Sequence, residues 1–307
     1  MATVNRAGAA MESESGAVWL EDGLRRLTAP NPSAMTWRGT NTYLLGTDEV
    51  AVIDPGPDDP AHLDAILATL APGERIGAIL VTHSHRDHSP LARPLAEATG
   101  APVLAAGPSD WGRSALMHRL AGTGGIGGGE GVDEGFAPDR RIAEGCTLTG
   151  GWGRIDVLET PGHMANHLCF AWQGAVFTGD LVMGWSTSLV SPPDGDMGAF
   201  MASCRKLARR SDRVFHPGHG DPVRDPAARL AELIAHRAGR EAQILAALHS
   251  AGPATAEQLA RRIYEGLAAP LLPAATRNVL AHLIDLVERN EVSTGGGLTA
   301  EATFFRA

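Results

Sequence analysis

A cluster of metal-binding residue types stands at the end of an apolar run in this sequence, and it restricts the possible folds more than any other segment. The segment "RIGAILVTHSHRDH", residues 75–88, begins as a near-continuous apolar stretch, which is typical of a central strand buried on both faces. It ends in the pattern His-x-His-x-Asp-His, formed by His83, His85, Asp87 and His88. Histidines two apart in an extended chain point the same way, and imidazole with carboxylate suits zinc, iron or manganese. The segment therefore predicts a metal site at the edge of a sheet.

Further candidate ligands follow later strand-like stretches. They are His163 in "TPGH", Asp180 in "FTGD" and His219 in "HPGHG". Each is weak alone, because a histidine or aspartate at a strand end is more often a cap or turn residue. With the first cluster they complete a set for two ions: His83, His85 and His163 for one, Asp87, His88 and His219 for the other, and Asp180 as the bridge.

The rest of the chain predicts a mixed α/β domain followed by a smaller module. Short apolar strands alternate with helical patterns over residues 17–225, and "LCFAW" with "AVFTGD" predicts a hairpin turning at Gln173-Gly174. Residues 226–307 show three helical patterns and a terminal glycine-rich hairpin, as in a winged helix. Residues 1–16 are small and polar, and we expect a flexible tail there.

Composition excludes several classes of protein. The net charge of −9 disfavours a chain that coats nucleic acid or binds anionic membranes. The three cysteines are widely spaced, so they predict neither a disulfide framework nor a CxxC site. The N-terminus lacks the apolar segment of a signal peptide, and no run approaches the ~18 apolar residues of a transmembrane helix. We therefore expect a cytoplasmic protein without a membrane partner.

A glycine-rich stretch, "GTGGIGGGEGVDEG" at residues 122–135, lies within the α/β domain. A phosphate-binding loop would need a following Gly-Lys-Ser/Thr and a strand leading into it, and both are missing from the sequence. The composition instead predicts a mobile surface loop, which becomes a candidate lid if it borders the active site.

The motifs together resemble those of the metallo-β-lactamase superfamily of metal-dependent hydrolases. "THSHRDH", "TPGH", "TGD" and "PGHG" occur in that order within about residues 20–220, and "VIDPG" and "TPGHMANH" are similar to the β-lactamase-like protein 2 branch. The resemblance implies an α/β fold, the four-layer αββα sandwich, with metals at one edge between two sheets. It also implies a small C-terminal winged-helix-like domain. Zinc β-lactamases lack a bridging aspartate at the position of Asp180, which argues against antibiotic hydrolysis.

The predicted chemistry is hydrolysis at a dinuclear metal centre. Two divalent ions, Zn²⁺ or alternatively Fe or Mn, hold a bridging hydroxide that attacks an ester, thioester or lactone of a small or carrier-bound substrate. Asp87 and Asp180 act in catalysis as well as in metal binding. His167, four residues after His163, is a candidate to bind the oxyanion or to protonate the leaving group. The alternative for His167 is a structural histidine bonded to a backbone carbonyl.

Two other functions stay open from the sequence. The first is a single-strand endoribonuclease, an activity associated with the β-lactamase-like protein 2 branch, for which "RKLARRSDR" (residues 205–213) is the one basic cluster. A solvated helical face explains that cluster more simply. The second is a non-catalytic winged-helix binding protein, which the intact ligand set disfavours. His236–Ala307 contains seven arginines and seven acidic residues, which favours packing or homodimerisation over nucleic-acid binding.

Overall fold

Two β-sheets form the centre of the molecule. The computed structural model describes residues 16–307, so the predicted flexible tail at 1–16 lies outside the described residues apart from Gly16. The first sheet has seven strands in sequence order: β1 (Val18–Glu21), β2 (Leu24–Thr28), β3 (Asn41–Leu45), β4 (Glu49–Ile53), β5 (Arg75–Leu80), β6 (Val103–Ala105) and β7 (Arg140–Arg141). The second has the order β12-β11-β10-β9-β8: β8 (Thr147–Gly150), β9 (Gly153–Glu159), β10 (Leu168–Trp172), β11 (Ala175–Gly179) and β12 (Val214–Pro217).

Some helices cover the outer faces of the sheets and others form the C-terminal module. The helices are α1 (Pro60–Ala68), α2 (Ala92–Thr99), α3 (Ala115–Thr123), α4 (Met197–Leu207), α5 (Pro226–Ala251), α6 (Ala256–Ile263) and α7 (Leu272–Glu288), with a short 3-10 helix at Ala269–Leu271 before α7. Apolar residues of α1 and α2 pack on the first sheet, and those of α4 and α5 pack on the second. The order helix, sheet, sheet, helix is the predicted αββα sandwich, and that fold class is confirmed.

The core between the sheets is aromatic and fully buried. Phe170 and Phe177 of the second sheet face Tyr43 and Ile53 of the first. The rings of Tyr43 and Phe177 meet edge to face with centroids 4.9 Å apart. Successive residues of a strand point to opposite faces, so Leu44 packs instead toward the outer helices. This alternation is what lets β3 contribute to both apolar layers.

The predicted hairpin in the second sheet is also confirmed. β10 and β11 pair antiparallel with Trp172 opposite Ala175. The two turn residues, Gln173 and Gly174, have φ values of +47° and +77°. A two-residue turn with positive φ at both central residues matches the twist of antiparallel strands.

The C-terminal residues form a winged helix domain with its own apolar core. Helices α5, α6 and α7 pack around residues such as Leu259 and Ile284, and a hairpin of β13 (Val292–Thr294) and β14 (Phe304–Arg306) closes the module. Helix α5 serves both units, because Leu230 packs on the second sheet whereas Ile244 belongs to the C-terminal core. The exact limits 17–225 and 226–307 stay a prediction.

Several chain segments that leave strands meet at one edge of the sandwich. Residues 81–88 follow β5, residues 160–167 connect β9 to β10, Asp180 follows β11, and Gly218-His219 follows β12. The parallel pairs β4–β5 and β11–β12 bring the carboxyl ends of neighbouring strands together at this edge. Within residues 16–307, no helix has both the length and the apolar character that crossing a membrane requires.

We expect the Phe170→Ala substitution to lower the free energy of unfolding by about 3–5 kcal/mol, because it leaves a cavity between the two sheets. Urea denaturation followed by tryptophan fluorescence measures the change. The control is Phe305→Ala, whose ring is 36% exposed and whose removal should cost no more than about 0.5 kcal/mol. Equal effects of the two substitutions would contradict this packing.

Candidate metal centre

The seven predicted ligand residues meet at the edge described above. Their ligand atoms form three groups, with the atoms of each group lying within 4.8 Å of one another: His83, His85 and His163; His83, His88 and Asp180; and Asp87, His88 and His219. The first and third groups coincide with the two predicted sets. Asp180 lies between them, with its Oδ2 atom 3.3 Å from His219 Nε2 and 3.7 Å from His163 Nε2.

The first group is formed by ring nitrogens alone. His85 Nδ1 lies 3.0 Å from His83 Nε2 and 3.0 Å from His163 Nε2. His83 and His163 are buried, so little water reaches these nitrogens. Such a convergence of imidazole nitrogens is the ligand arrangement that zinc and similar ions accept.

Hydrogen bonds on the far side of the rings fix which nitrogen faces the centre. His163 Nδ1 lies 2.7 Å from the Leu189 carbonyl oxygen, and His219 Nδ1 lies 3.1 Å from that of Gly39. A carbonyl oxygen only accepts, so both Nδ1 atoms carry the hydrogen. In the neutral form of these two histidines, the Nε2 lone pairs therefore point into the centre.

Asp54, which the sequence analysis did not single out, orients two more of the histidines. Its Oδ2 atom accepts from His88 Nδ1 at 3.0 Å and from the Thr82 hydroxyl at 2.7 Å. Because that hydroxyl donates to Asp54, its oxygen accepts from His83 Nδ1 at 2.9 Å. Asp54 Oδ1 also accepts from the Thr82 backbone N–H at 2.7 Å. One buried carboxylate thus directs the Nε2 atoms of both His83 and His88 toward the centre.

The pKa shifts of Asp180 and His219 indicate that the part of the centre around these two residues favours positive charge. Burial raises the pKa of Asp180, but the charges of His219 and His88 outweigh it and hold the pKa well below its usual range. Burial lowers the pKa of His219, but Asp180 and Asp87 outweigh it and raise the pKa to about 9. The Asp180 carboxylate is therefore ionised at neutral pH, and it attracts cations strongly.

The first group of histidines shows the opposite shift. Burial, followed by the neighbouring imidazole of His163, lowers the pKa of His85 to about 3. Burial and the charge of His88 lower the pKa of His83 well below its usual value. These rings are neutral at physiological pH, which is the protonation state that a metal ligand requires.

Two buried atoms of the centre indicate whether a metal ion would fit between the proposed ligands. His88 Nε2 and Asp180 Oδ1 lie 3.5 Å apart, and neither has a hydrogen-bond partner. An unpartnered buried polar atom costs on the order of 1–3 kcal/mol. Burial lowers the pKa of His88, but the carboxylates of Asp87 and Asp180 outweigh it and raise the pKa well above its usual value, so the metal-free ring carries a proton. A cation that displaced this proton would meet a lone pair on His88 Nε2, because Nδ1 donates to Asp54, and would also bind the Asp180 carboxylate. A divalent metal ion fits this set of nitrogen and oxygen donors.

His167 lies behind this centre. It is 1% exposed, and its ring stacks on His83 with centroids 5.1 Å apart. The Thr160 hydroxyl donates to Cys169 Sγ at 3.2 Å and accepts from His167 Nδ1 at 3.0 Å. His167 Nε2 has no hydrogen-bond partner and is then a lone pair, and burial lowers the pKa of the ring well below its usual value, so the neutral ring cannot donate from Nε2 to an oxyanion. The catalytic role of His167 stays a prediction.

The loop that carries His219 is held by residues of β3. Asn41 Nδ2 donates to the carbonyl oxygens of Pro217 at 3.0 Å and Gly220 at 2.8 Å, and the Tyr43 hydroxyl donates to Pro217 at 2.7 Å. These contacts make Asn41 a support for the loop that carries His219. Buried His216, by contrast, stacks on Phe177 in the inter-sheet core.

The glycine-rich stretch borders the centre and is packed at both ends. Ile126 is fully buried in the core of the C-terminal module. Toward the other end, the Arg86 backbone N–H donates to the Gly131 carbonyl oxygen at 2.8 Å, and the backbone of Val132 pairs with that of His85 in an isolated β-bridge. Most residues of the stretch are exposed, as in a surface loop, while the buried Ile126 and Val132 attach it to the rest of the chain. Its mobility and a role as a lid stay predictions.

An aromatic pair stands beside the second ligand group. The rings of Trp37 and Trp185 stack with centroids 5.6 Å apart, and both lie against Gly220, the residue after His219. A Cβ at position 220 would come within 2.8 Å of Trp185 and 2.9 Å of Trp37, and the φ of +86° also favours glycine there. Trp37 is 36% exposed, so an aromatic ring is accessible beside the second ligand group.

Asp54 and the two tryptophans are the site residues that the sequence reasoning missed. Asp54 stands in "VIDPG", where aspartate before Pro-Gly reads as a turn residue. Its φ of +50° is uncommon for a residue other than glycine and becomes visible only in the structure. The apolar strand directly before Asp54 was the available signal, since that strand neighbours β5 in the same sheet.

Comparison with known protein families agrees with this geometry. Residues 35–219 match the family described as Metallo-beta-lactamase superfamily, which is more than half of the chain. Residues 255–299 match the family described as Beta-lactamase associated winged helix domain. The matched ranges contain all seven candidate ligands and most of the C-terminal module, respectively.

Individual relatives support the same family. The chain is 30% identical over 294 residues to the Beta-lactamase-like protein 2 homolog of Drosophila melanogaster, covering 89% of this chain and 90% of that protein. It is 31% identical over 233 residues to the Atrochrysone carboxyl ACP thioesterase of Aspergillus fumigatus, covering 73% of this chain. The match spans 64% of the length of that thioesterase. The chain is also similar to Lactamase-like protein nscB of Trichophyton rubrum, and that match spans 63% of the relative's length.

Solved structures agree as well. A metallo-beta-lactamase family protein from Thermus thermophilus superposes with a TM-score of 0.74 at 27% identity, covering 94% of this chain and 100% of that one. The match includes both the sandwich and the C-terminal module. The chain belongs to the metallo-beta-lactamase superfamily and is a hydrolase with that superfamily's fold and its associated winged helix domain.

Proposed function

We propose that this hydrolase uses two divalent metal ions to cleave an ester, thioester or lactone, and that a carrier-bound thioester is its substrate. The observation that carries the proposal is the convergence of imidazole and carboxylate groups, several of them oriented by hydrogen bonds on the far side of the rings. The proposed ligands are His83, His85 and His163 for one ion, Asp87, His88 and His219 for the other, and Asp180 for both.

When bound, two such ions would make a water-derived nucleophile available at neutral pH and would polarise the substrate carbonyl. Asp180, ionised and close to both ligand groups, is proposed to accept a hydrogen bond from the attacking water and to orient it. Asp87, close to His88 and His219, is proposed to bind one ion and to supply negative charge beside that ion. The metal is proposed to be zinc, with iron or manganese as alternatives.

The tryptophan pair supports a substrate with an apolar acyl group. Trp37 and Trp185 stack beside His219, and the Arg38 guanidinium lies 4.3 Å from the centroid of the Trp37 ring. Aromatic rings bind apolar groups well because they bury large areas with little loss of conformational freedom. The activity named for the Aspergillus fumigatus relative, thioester hydrolysis on an acyl carrier protein, is consistent with this substrate class.

The contacts of the basic cluster at residues 205–213 argue against RNA as the substrate. Lys206, Arg210 and Arg213 pair with the carboxylates of Glu144, Asp212 and Glu21, respectively. These local pairs neutralise much of the charge that a phosphate backbone would need. Endoribonuclease activity therefore stays the alternative to thioester hydrolysis. A cytoplasmic location and a homodimer stay predictions.

The substrate class is tested with the zinc-loaded protein against thioesters of short and long acyl chains, lactones and single-stranded RNA. We expect thioester hydrolysis with a lower KM for long acyl chains, and a loss of at least about 100-fold in kcat/KM for His83→Ala. His249→Ala, which removes an exposed histidine, is the control and should leave the rate unchanged. RNA cleavage that depends on His83, without thioester cleavage, would overturn the substrate assignment.

We expect Asp54→Asn to weaken zinc binding by about 10–100-fold, because an amide holds the His88 Nδ1 hydrogen less firmly than a carboxylate does, and also holds less firmly the Thr82 hydroxyl that accepts from His83 Nδ1. Competition with a fluorescent zinc chelator measures the affinity of the metal-free protein. Asp64→Asn, on the exposed face of α1, makes the same chemical change away from the centre and should have no effect. A normal affinity for Asp54→Asn would remove Asp54 from the supporting residues.

The role of His167 is tested by His167→Gln. A proton-transfer role predicts a fall in kcat of about 10²–10⁴-fold with the zinc content unchanged. The measurements are steady-state kinetics and elemental analysis of the same preparation. A kcat within threefold of the original would leave His167 with structural contacts alone, the hydrogen bond with Thr160 and the packing on the His83 ring.

A further inference from the structure

The segment at residues 188–192 connects the metal centre to the C-terminal module. It has no helix or strand structure, so its backbone groups must find partners elsewhere. On one side, the Leu189 carbonyl accepts the Nδ1 hydrogen of His163 at 2.7 Å, and the Ser188 hydroxyl donates to the carbonyls of Asp180 and Leu181. The segment therefore touches a proposed ligand of the first ion and the backbone of the proposed bridging residue.

On its other side, the segment is bonded to the C-terminal module through α5 and α7. The Val190 N–H donates to Asn278 Oδ1 at 3.1 Å, and the Ser188 carbonyl accepts from Arg237. Asn278 Oδ1 also accepts from Arg237 at 3.1 Å, so one amide oxygen joins the two helices to the segment. Val190 and Arg237 are 0% and 2% exposed, so water does not compete for these bonds.

Arg277, the residue before Asn278, makes a second set of bonds. Its guanidinium donates to the Ser191 hydroxyl at 2.8 Å and to the Pro192 carbonyl. It also donates to the Ile126 carbonyl of the glycine-rich stretch at 2.5 Å. That stretch continues to Val132, which pairs with His85. A planar guanidinium makes several bonds in fixed directions, so Arg277 holds both segments in one relative position.

We propose that Asn278 and Arg277 of the winged helix domain are positioning residues for the metal centre. They act through residues 188–192 on His163, and Arg277 acts through the glycine-rich stretch on His85. Neither residue touches the metals or the substrate. The module thereby holds both the segment whose carbonyl orients the His163 ring and the stretch that pairs with the backbone of His85. This inference rests on the proposed role of His163 as a metal ligand.

The alternative is that these bonds only attach the module to the sandwich. The two roles differ in what the bonds affect, because attachment alone changes the stability of the interface and leaves the zinc affinity unchanged. Positioning changes the zinc affinity of the metal-free protein even when the fold is intact. Loss of a residue that orients a ligand costs about 10–100-fold in metal affinity.

The test is a titration of the full-length, metal-free protein with Zn²⁺ in competition with a fluorescent chelator. We expect Asn278→Ala to weaken the binding of one zinc ion by roughly tenfold. Asn278→Asp keeps an acceptor oxygen for Val190 and Arg237, so it should bind zinc like the original protein. Arg261→Ala, which removes an exposed arginine of α6, is the control for changes in the module and should have no effect.

Arg277→Lys provides a second variant in case Asn278→Ala does not fold. It keeps the charge but loses the bonds that a guanidinium makes, and we expect a several-fold weaker zinc affinity. Thermal unfolding and circular dichroism of the metal-free variants check the fold. Zinc affinity within twofold of the original in both Asn278→Ala and Arg277→Lys would overturn the positioning role.

His163→Ala separates the failure of this inference from the failure of the proposed function. If His163→Ala weakens zinc binding and the two module variants do not, only the positioning role is overturned. If His163→Ala binds zinc normally, the proposed metal centre fails together with the inference. If His163→Ala, Asn278→Ala and Arg277→Lys all weaken binding and Asn278→Asp restores it, the inference stands.

Discussion

The burial of imidazoles and carboxylates at one edge of the sandwich governs how the surrounding segments are arranged. Polar groups that leave water must be hydrogen-bonded or bound to a cation, and unpaired charges cost still more. The protein meets this requirement on the outer side of the rings, where Leu189, Gly39, Asp54 and Thr82 accept the Nδ1 hydrogens. The inner side is left with ring nitrogens and negative charge, which is the chemistry of a cation site.

These acceptors come from distant parts of the chain, so the fold itself determines the protonation pattern. Asp54 directly follows β4, and it reaches residues that follow β5 because the two strands are parallel neighbours. Its positive φ costs on the order of 1–3 kcal/mol, and hydrogen bonds to its carboxylate and its carbonyl oxygen hold it there. Gly39 approaches His219 through the adjacent pairing of Thr40 with His219. Each of these histidines is thus oriented by a tertiary contact.

The winged helix domain has a place in the same arrangement. The balance of seven arginines and seven acidic residues in His236–Ala307 indicates packing, and the structure shows where two of those arginines go. Arg237 is buried and Arg277 partly buried, and both bond to backbone carbonyls at the border of the catalytic domain. These two arginines bind backbone carbonyls of the protein itself, which agrees with the packing role that the charge balance favours.

The mixed α/β domain, the hairpin and the proposed ligands could be predicted from local patterns in the amino-acid sequence: an apolar run before "THSHRDH", a strand pair around Gln173-Gly174, and a histidine or aspartate after each later strand. The four-layer sandwich followed from the resemblance of these motifs to a known family. The residues that orient those ligands could not be predicted in this way. Asp54, Leu189 and Asn278 lie far from their histidines in the chain, and two of the links pass through backbone atoms, which leave no trace in residue identity. Hydrogen bonds between distant segments depend on how strands and helices pack, and for that reason the supports of the centre became visible only once the fold was assembled.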